Sequence, residues 1–410
     1  MGEALFIVAG WMAFGTVLIA WVYRETLLAF WREPVLKRPV LIVESDDWGP
    51  AGDDDAVRLE RLAGLLRGYR DRRGRSVVLT LGIVLALPDA RRIAADGGYH
   101  RILLTDERSS AVLHAIRSGV DAGVFSVQLH GMEHYWPEAL MAAAAHDQNI
   151  RAWLASSPWP STEALPSALQ SRWIDASMLP SRPLSVDQIN AAVAEEMATF
   201  AAIFGEAARV VVPPTFVWDG RVETAWAAAG AKIVVTPGAR YVRRDAQGAL
   251  VRDGPRLYNG MATRDGLRYV VRDDYFEPSK GHRAERALDA LKAKIRLGRP
   301  TLLETHRLNF VGHPAAANIA FDELARAFDL VLQRFPDVVF LSTRELVEHI
   351  EHRDPDLIEC GIARRLHIWL VRSSAISRLV KLAWLTGIVL PAWLLLLATR
   401  PAQDPTAATP

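Results

Sequence analysis

Residues Pro39–Gly49 read P-V-L-I-V-E-S-D-D-W-G, and the rest of the chain is placed by how this segment is understood. Four aliphatic residues, Val40, Leu41, Ile42 and Val43, run through Glu44 and Ser45 into two adjacent carboxylates, Asp46 and Asp47. A near-continuous apolar run of this length is the mark of a strand buried on both faces of a parallel sheet. The segment is therefore predicted to carry charge to the mouth of an open sheet or barrel. Two neighbouring carboxylates repel, so one of them needs a cation or a proton. A helix N-cap at the Gly49-Pro50 turn accounts for one aspartate and leaves the other unexplained.

Outward from this segment, short apolar runs alternate with helical patterns. Strands are predicted at Val77–Leu81, Val124–Leu129, Arg209–Pro213, Lys232–Thr236, Arg268–Arg272, Thr301–His306 and Val338–Leu341. Helices are predicted at Asp55–Arg70, Ser109–Ser118, Val186–Phe204, Ala284–Leu297, Phe321–Phe335 and Arg344–His352. Ser185 and Gln188 are spaced for a capping box, and Thr343 is the expected N-cap of the last helix. Such alternation implies an α/β fold with a mostly parallel sheet, closed or nearly so. The region Tyr135–Pro183 breaks the pattern with Trp136, Trp153, Trp159 and Trp173 among prolines and serines. It is too long for an ordinary connection and is predicted to be an insertion over the site face, its tryptophans mostly packing the insertion itself. Leu257–Arg268 reads as a hairpin-like excursion.

The chain has 410 residues, half of them hydrophobic, and a formal net charge of +1, so nothing in its charge points to a nucleic-acid binder. Its single cysteine, Cys360, excludes an internal disulfide framework and paired-cysteine zinc sites. Both ends are apolar. Ala4–Tyr23 carries no charge and is long enough to cross a bilayer core of about 30 Å. Leu382–Ala398 is a second, shorter run interrupted by Pro391, preceded by a basic, apolar stretch, Arg364–Lys381, of membrane-surface character. The expected organisation is an N-terminal transmembrane anchor and juxtamembrane segment (1–38), the α/β domain (39–352), a basic segment with a C-terminal transmembrane helix (353–400), and a disordered tail (401–410). Lys and Arg cluster on the domain side of both apolar runs, which places the domain in the cytoplasm at an inner or plasma membrane.

Three strand ends carry titratable groups. His130 and His134 follow the Val124–Leu129 strand four residues apart, on one face if the chain turns helical there. Imidazole is a common ligand of zinc, iron, nickel and cobalt, and one aspartate with two histidines makes an open three-ligand site. A cation there brings the pKa of a water toward neutrality, and the second aspartate can accept its proton. Glu304 and His306 share a face by the two-residue period, which aims His306 at the same carboxyl strand ends.

Asp-Asp after the first strand, His-x-x-x-His after a middle strand and a histidine ending a late strand, in that order, resemble the polysaccharide deacetylase family (NodB-homology, carbohydrate esterase 4-like). The resemblance spans Pro39 to His352. It implies a distorted (β/α)7-type barrel, to which the reading of the residues adds the insertion and the flanking N- and C-terminal transmembrane helices. It implies Asp46 as catalytic base, Asp47, His130 and His134 as ligands of a divalent metal, and His306 as general acid. Zinc is favoured, with cobalt, nickel and iron as alternatives. Val212-Pro213-Pro214-Thr215-Phe216 is similar to the third motif, without the arginine that normally precedes the prolines; Arg209 is the nearest. Pro214, Thr215 and Trp218 are thus candidates for the substrate and oxyanion pocket. Asp273 and Asp274 stand for the fourth motif, and Glu304 either orients His306 or lies in a buried polar network. The implied activity is metal-dependent hydrolysis of N-acyl or O-acyl groups on a polysaccharide or lipid-linked sugar. Two other readings compete: a glycoside hydrolase pairing Asp46 with Glu304 or Asp273, and a non-catalytic, membrane-tethered carbohydrate-binding protein.

Overall fold

The computed structural model describes residues 2–400; the tail expected to be disordered, 401–410, lies outside the described residues. The chain forms two compact units. The larger comprises Pro39–Leu291 and Thr301–Glu348, the smaller Met1–Arg38, Lys292–Pro300 and the chain from His349 onward.

In the larger unit nine strands make one sheet: β1 (Val40–Trp48), β2 (Leu79–Ile83), β3 (Phe125–Leu129), β4 (Val210–Val211), β5 (Ile233–Thr236), β6 (Arg268–Val271), β7 (Asp274–Tyr275), β8 (Thr301–His306) and β9 (Val339–Phe340). Their order is β6-β5-β4-β3-β2-β1-β8-β7, with β9 also on β1. Every pairing is parallel. β6 and β7 hold opposite edges, yet only Arg272 and Asp273 separate them in sequence, so the sheet curls until both edges share one stretch of chain. Val40 to Val43 are at most 1% exposed, as an apolar run covered on both faces requires. The eight predicted strands all form. β7 was not foreseen, and the Arg268–Arg272 strand stops at Val271 because Arg272 sits at the bend between the edges.

Local signals were mostly read correctly. The Val186–Phe204 helix opens on the predicted reciprocal box, Gln188 N–H donating to Ser185 Oγ (3.2 Å) and Ser185 N–H to Gln188 Oε1 (2.9 Å). Thr343 is not a cap. Its hydroxyl is buried and bonds to Glu44, while Ser342 and Glu345 form the capping pair, Ser342 N–H to Glu345 Oε2 at 2.8 Å and Glu345 N–H to Ser342 Oγ at 3.3 Å. The insertion folds into helices Pro137–His146 and Gln148–Ala155 and a short strand pair, Ile174–Asp175 with Arg182–Pro183. Trp136, Trp153 and Trp173 are buried, Trp153 edge-on to Tyr135 of the insertion and Trp173 edge-on to Trp226 outside it, and Trp159 is half-buried.

In the smaller unit the N-terminal and C-terminal segments, expected as separate appendages, come together with Lys292–Pro300. The buried guanidinium of Arg372 donates to the carbonyls of Phe30, Glu33, Pro34 and Leu297 at 2.9–3.0 Å and ties these pieces into one body. Gly2–Val22 is helical, followed by Arg24–Arg32. The apolar run expected as one C-terminal membrane helix is instead two helices, Ser377–Leu385 and Val389–Ala398, broken around Gly387 at φ +75°. Among the described residues no single helix is long and apolar enough to cross a membrane. The pairs Phe6–Val22 with Arg24–Arg32, bent by 74°, and Ser377–Leu385 with Val389–Ala398, bent by 114°, are so by length and composition together.

Candidate active site

At the carboxyl end of β1 the backbone departs from the pleat. Side chains alternate along a strand, so Asp46 and Asp47 should point apart. Asp47 instead takes φ +70°, and the pairing of β1 with β2 shifts register between Ser45 and Trp48. A left-handed non-glycine residue costs about 1–2 kcal/mol. The distortion turns both carboxylates into the same cleft, of about 520 Å³, which is also lined by His130, His134, Arg272 and His306.

The two histidines do not share a helix, contrary to expectation. After β3 the chain makes a tight loop through Gly131 at φ +97°, where an added Cβ would lie 2.7 Å from the Glu133 carbonyl oxygen. Only glycine fits there. The loop brings the rings to 4.8 Å between centroids and both Nε2 atoms to 3.4 Å from Asp47 Oδ1. His130 Nδ1 lies 2.9 Å from the Val212 carbonyl, which can only accept, so Nδ1 carries a proton and Nε2 is the ring atom turned to Asp47. Beneath the loop, Arg172 of the insertion is fully buried between Glu133 (2.6 Å) and Glu196 (3.0 Å), and Glu196 also accepts from Met132 N–H at 3.1 Å. The loop is thereby fixed from below.

Among the described residues Asp47, His130 and His134 offer three ligand atoms all within 4.8 Å of one another. The fit to a divalent cation has a second mark: Asp47 Oδ1 is buried and has no hydrogen-bond partner, although a buried carboxylate oxygen normally has one. Burial opposes the charge on Asp47, but the neighbouring histidines hold its carboxyl well below the usual range. Burial carries His134 down to about 4, so it is neutral near pH 7 and free to ligate.

Asp46 is held differently. Arg272, 1% exposed, grips it with both arms, Nη2 to Oδ2 at 2.6 Å and Nη1 to Oδ1 at 3.1 Å. The same guanidinium reaches Glu44 at 2.7 Å and lies 3.0 Å from Glu304. Burial works against ionisation of Asp46, yet Arg272 and His130 keep its pKa depressed. Glu304 is pushed the other way, mainly by burial. One guanidinium thus faces three buried carboxylates, and the proton goes to Glu304 before Asp46. Phe216 packs against Arg272, ring centroid to Cζ 5.3 Å.

No family model and no curated protein matches the sequence. Among solved structures, the chain is similar to family 4 carbohydrate esterases. One from Streptomyces lividans, in complex with acetate, shares 13% identity over 73% of this chain and 90% of its own, at a TM-score of 0.33. An acetyl xylan esterase from Clostridium thermocellum, in complex with cobalt, shares 14% over 75% and 90%, at 0.36. A Bacillus anthracis pseudoenzyme of the same family shares 12% over 76% and 66%, at 0.35. Scores this low carry no weight beyond likeness, and the function has to be read from the side chains.

His306, at the end of β8, lines the cleft with Nδ1 bonded to Glu277, whose other oxygen accepts from Asn309. Burial disfavours its charge, but the bond to Glu277 and the field of Asp47 raise its pKa to about 10. Thr215 and Phe216 both line the cleft at positive φ (53° and 56°), and Thr215 Oγ1 is 2.6 Å from Ser171 Oγ. Other predicted residues lie elsewhere. Trp218 is fully buried and donates to Glu223 at 2.8 Å, Pro214 is buried behind the cleft wall, Asp273 is exposed, and Asp274 is half-buried in β7. From that segment Arg272 and Tyr275 reach the cleft instead. Arg272, Glu277, Glu133 and Arg172 were not singled out from the sequence. An arginine closing an apolar strand two residues from its edge was the available signal for Arg272; nothing local marked the other three.

Proposed function

We propose that this protein is a metal-dependent carbohydrate deacetylase acting on N-acyl, and secondarily O-acyl, groups of a polysaccharide or a lipid-linked sugar. The observation that carries this reading is the convergence of Asp47, His130 and His134 on one point beside Asp46 and His306. Those three residues would hold the divalent ion; two imidazoles and a carboxylate suit zinc first, with cobalt, nickel and iron as alternatives. When bound, the ion supplies Lewis-acid polarisation and a water of lowered pKa.

The chain's own groups divide the remaining work. Asp46, kept anionic by Arg272, accepts the proton of the attacking water. The N–H groups of Phe216 and Val217 are spent on the Pro213 and Pro214 carbonyls, which leaves Thr215 N–H as the backbone donor for the oxyanion. His306, protonated through Glu277, gives its proton to the departing amine nitrogen as the C–N bond breaks, releasing the free amine and a carboxylate. A glycoside hydrolase built on Asp46 finds a poor partner in Glu304, engaged with Arg272, or in exposed Asp273.

Membrane attachment belongs to the same proposal, with the Lys and Arg flanks favouring a cytoplasmic domain at the inner or plasma membrane. It is supported by large apolar side chains left open to solvent, such as Phe6 (82%), Ile7 (73%) and Leu385 (74%). The test is acetate release from N-acetylated chito-oligosaccharides by the full chain, with and without a chelator. Release that the chelator stops and zinc or cobalt restores supports the proposal. Release indifferent to the chelator points to a hydrolase of another kind, and no release with any of the four metals rejects the activity on this substrate class.

A further inference from the structure

The two apolar ends of the smaller unit are not equivalent. At about 1.5 Å per residue, the 21-residue helix Gly2–Val22 is about 31 Å long, and together with Arg24–Arg32 it makes a segment long and apolar enough to cross a bilayer. Ser377–Leu385 and Val389–Ala398, of 9 and 10 residues, reach only about 13 and 15 Å each, or half that thickness. They are bent by 114° at their junction, so the second turns away from the course of the first.

Three contacts fix where the turn and the end of this pair lie. Trp11 Nε1 donates to the Leu385 carbonyl at 3.0 Å, and a Cβ on Gly15 would sit 2.3 Å from Thr386 Cβ, so the turn packs tightly against the middle of Gly2–Val22. The far end comes back: the Leu396 carbonyl is 3.3 Å from His367 Nδ1, and Thr399 Oγ1 is 3.5 Å from the same atom. His367 belongs to the basic helix Ile362–Ser374, whose Trp369 and Arg365 donate to the Leu27 and Trp31 carbonyls at 2.9 and 2.6 Å, beyond the C-terminal end of Gly2–Val22. The pair thus starts near one end of the first helix, reaches its midpoint and returns.

We infer that Ser377–Ala398 is a re-entrant hairpin occupying one leaflet of a lipid bilayer, and that the N-terminal pair, Gly2–Val22 with Arg24–Arg32, makes the crossing. The inference rests on the membrane attachment proposed above. Trp384, Leu385, Leu390 and Trp393, each more than half exposed, are the side chains that meet acyl chains. Arg378 and Lys381, exposed on the first turns of the hairpin, extend to the headgroups along with Arg364 and Arg365 of the basic helix. Thr399 and Arg400 consequently lie on the same side as Glu33–Arg38, which lead into the α/β domain, and Glu3 lies on the other.

Cys360 makes this readable, because it is exposed and the sequence has no other cysteine. In sealed vesicles of one orientation, a membrane-impermeant maleimide is applied to the full-length protein, to C360S/R400C and to C360S/E3C. The expected result is that Cys360 and the Arg400→Cys variant are labelled from the same side, while labelling of the Glu3→Cys variant is lost until the vesicles are opened. Labelling of Arg400→Cys together with Glu3→Cys, from the side opposite to Cys360, makes the C-terminal pair a second crossing and overturns the hairpin alone. Release of the chain from vesicles by alkaline carbonate overturns the hairpin and the attachment together. Both altered positions are exposed, and each variant is checked against the wild type by its thermal unfolding.

Discussion

Asp46 on β1 and His306 on β8 are direct partners in a parallel pairing, Cα opposite Cα, and both side chains open into the cleft that holds Asp47, His130 and His134. A proton acceptor and a proton donor thus sit on neighbouring strand ends, one kept anionic by Arg272 and the other kept cationic by Glu277. Asp46→Asn leaves the three proposed ligands in place and removes the acceptor. Turnover should fall by about 10²–10⁴-fold, the usual worth of a general base, while metal content stays unchanged. Loss of the metal along with the activity would transfer Asp46 from base to ligand.

His134→Ala should do the reverse. It removes one of three donors around Asp47 Oδ1, and the metal should be lost on dialysis together with the activity, as measured by elemental analysis of the purified protein. Arg172→Met should show a milder form of this effect. It takes a buried guanidinium away from Glu133 and Glu196 beneath the ligand loop, leaving Glu133 with Arg101 at 2.7 Å, and disturbing groups that orient ligands typically costs about 10–100-fold in metal affinity.

Arg272→Met removes the guanidinium shared by Glu44, Asp46 and Glu304. Breaking a buried pair by deleting one partner costs about 3–5 kcal/mol, so denaturant midpoints should drop accordingly at neutral pH. The loss should shrink as pH falls, because Asp46, whose folded pKa is depressed in the wild type, gives stability above its unfolded pKa that disappears on acidification. A midpoint equal to the wild type at neutral pH would show that the guanidinium does not hold the site together.

Much of this was legible in the chain because a parallel sheet writes itself as apolar runs ending in polar residues. β1 and β8 could be read as strands, and their ends as a site, from Asp46, Asp47 and His306 alone. What could not be read is what crosses between strands. The tight loop at Gly131 replaced a predicted helical turn, since a strand-to-loop left-handed glycine leaves no periodic trace. Arg272 looked like the tail of a strand, and its role depends on the sheet curling until β6 and β7 meet. Asp273 and Asp274 drew attention as a pair, yet the bend sends Arg272 inward and Asp273 out. The apolar run Leu382–Ala398 read as one helix because hydropathy does not register the turn at Gly387.

Glu277 offers the sharpest test of how the donor is prepared. It is buried, bonds to His306 Nδ1 with one oxygen and accepts from Asn309 with the other, and it is the main force that lifts His306 to about 10 against the cost of burial. A donor histidine is active only while protonated, so activity is retained below its pKa and lost as pH rises through it. Glu277→Gln keeps the shape and removes the charge. The alkaline limb of kcat/KM should therefore move to lower pH, with the acid limb, set by other groups, staying in place. Metal content should be unaffected, which separates this from damage to the ligand set. An alkaline limb that stays where it is in the variant would mean that His306 is not the proton donor, whatever its place beside Asp46.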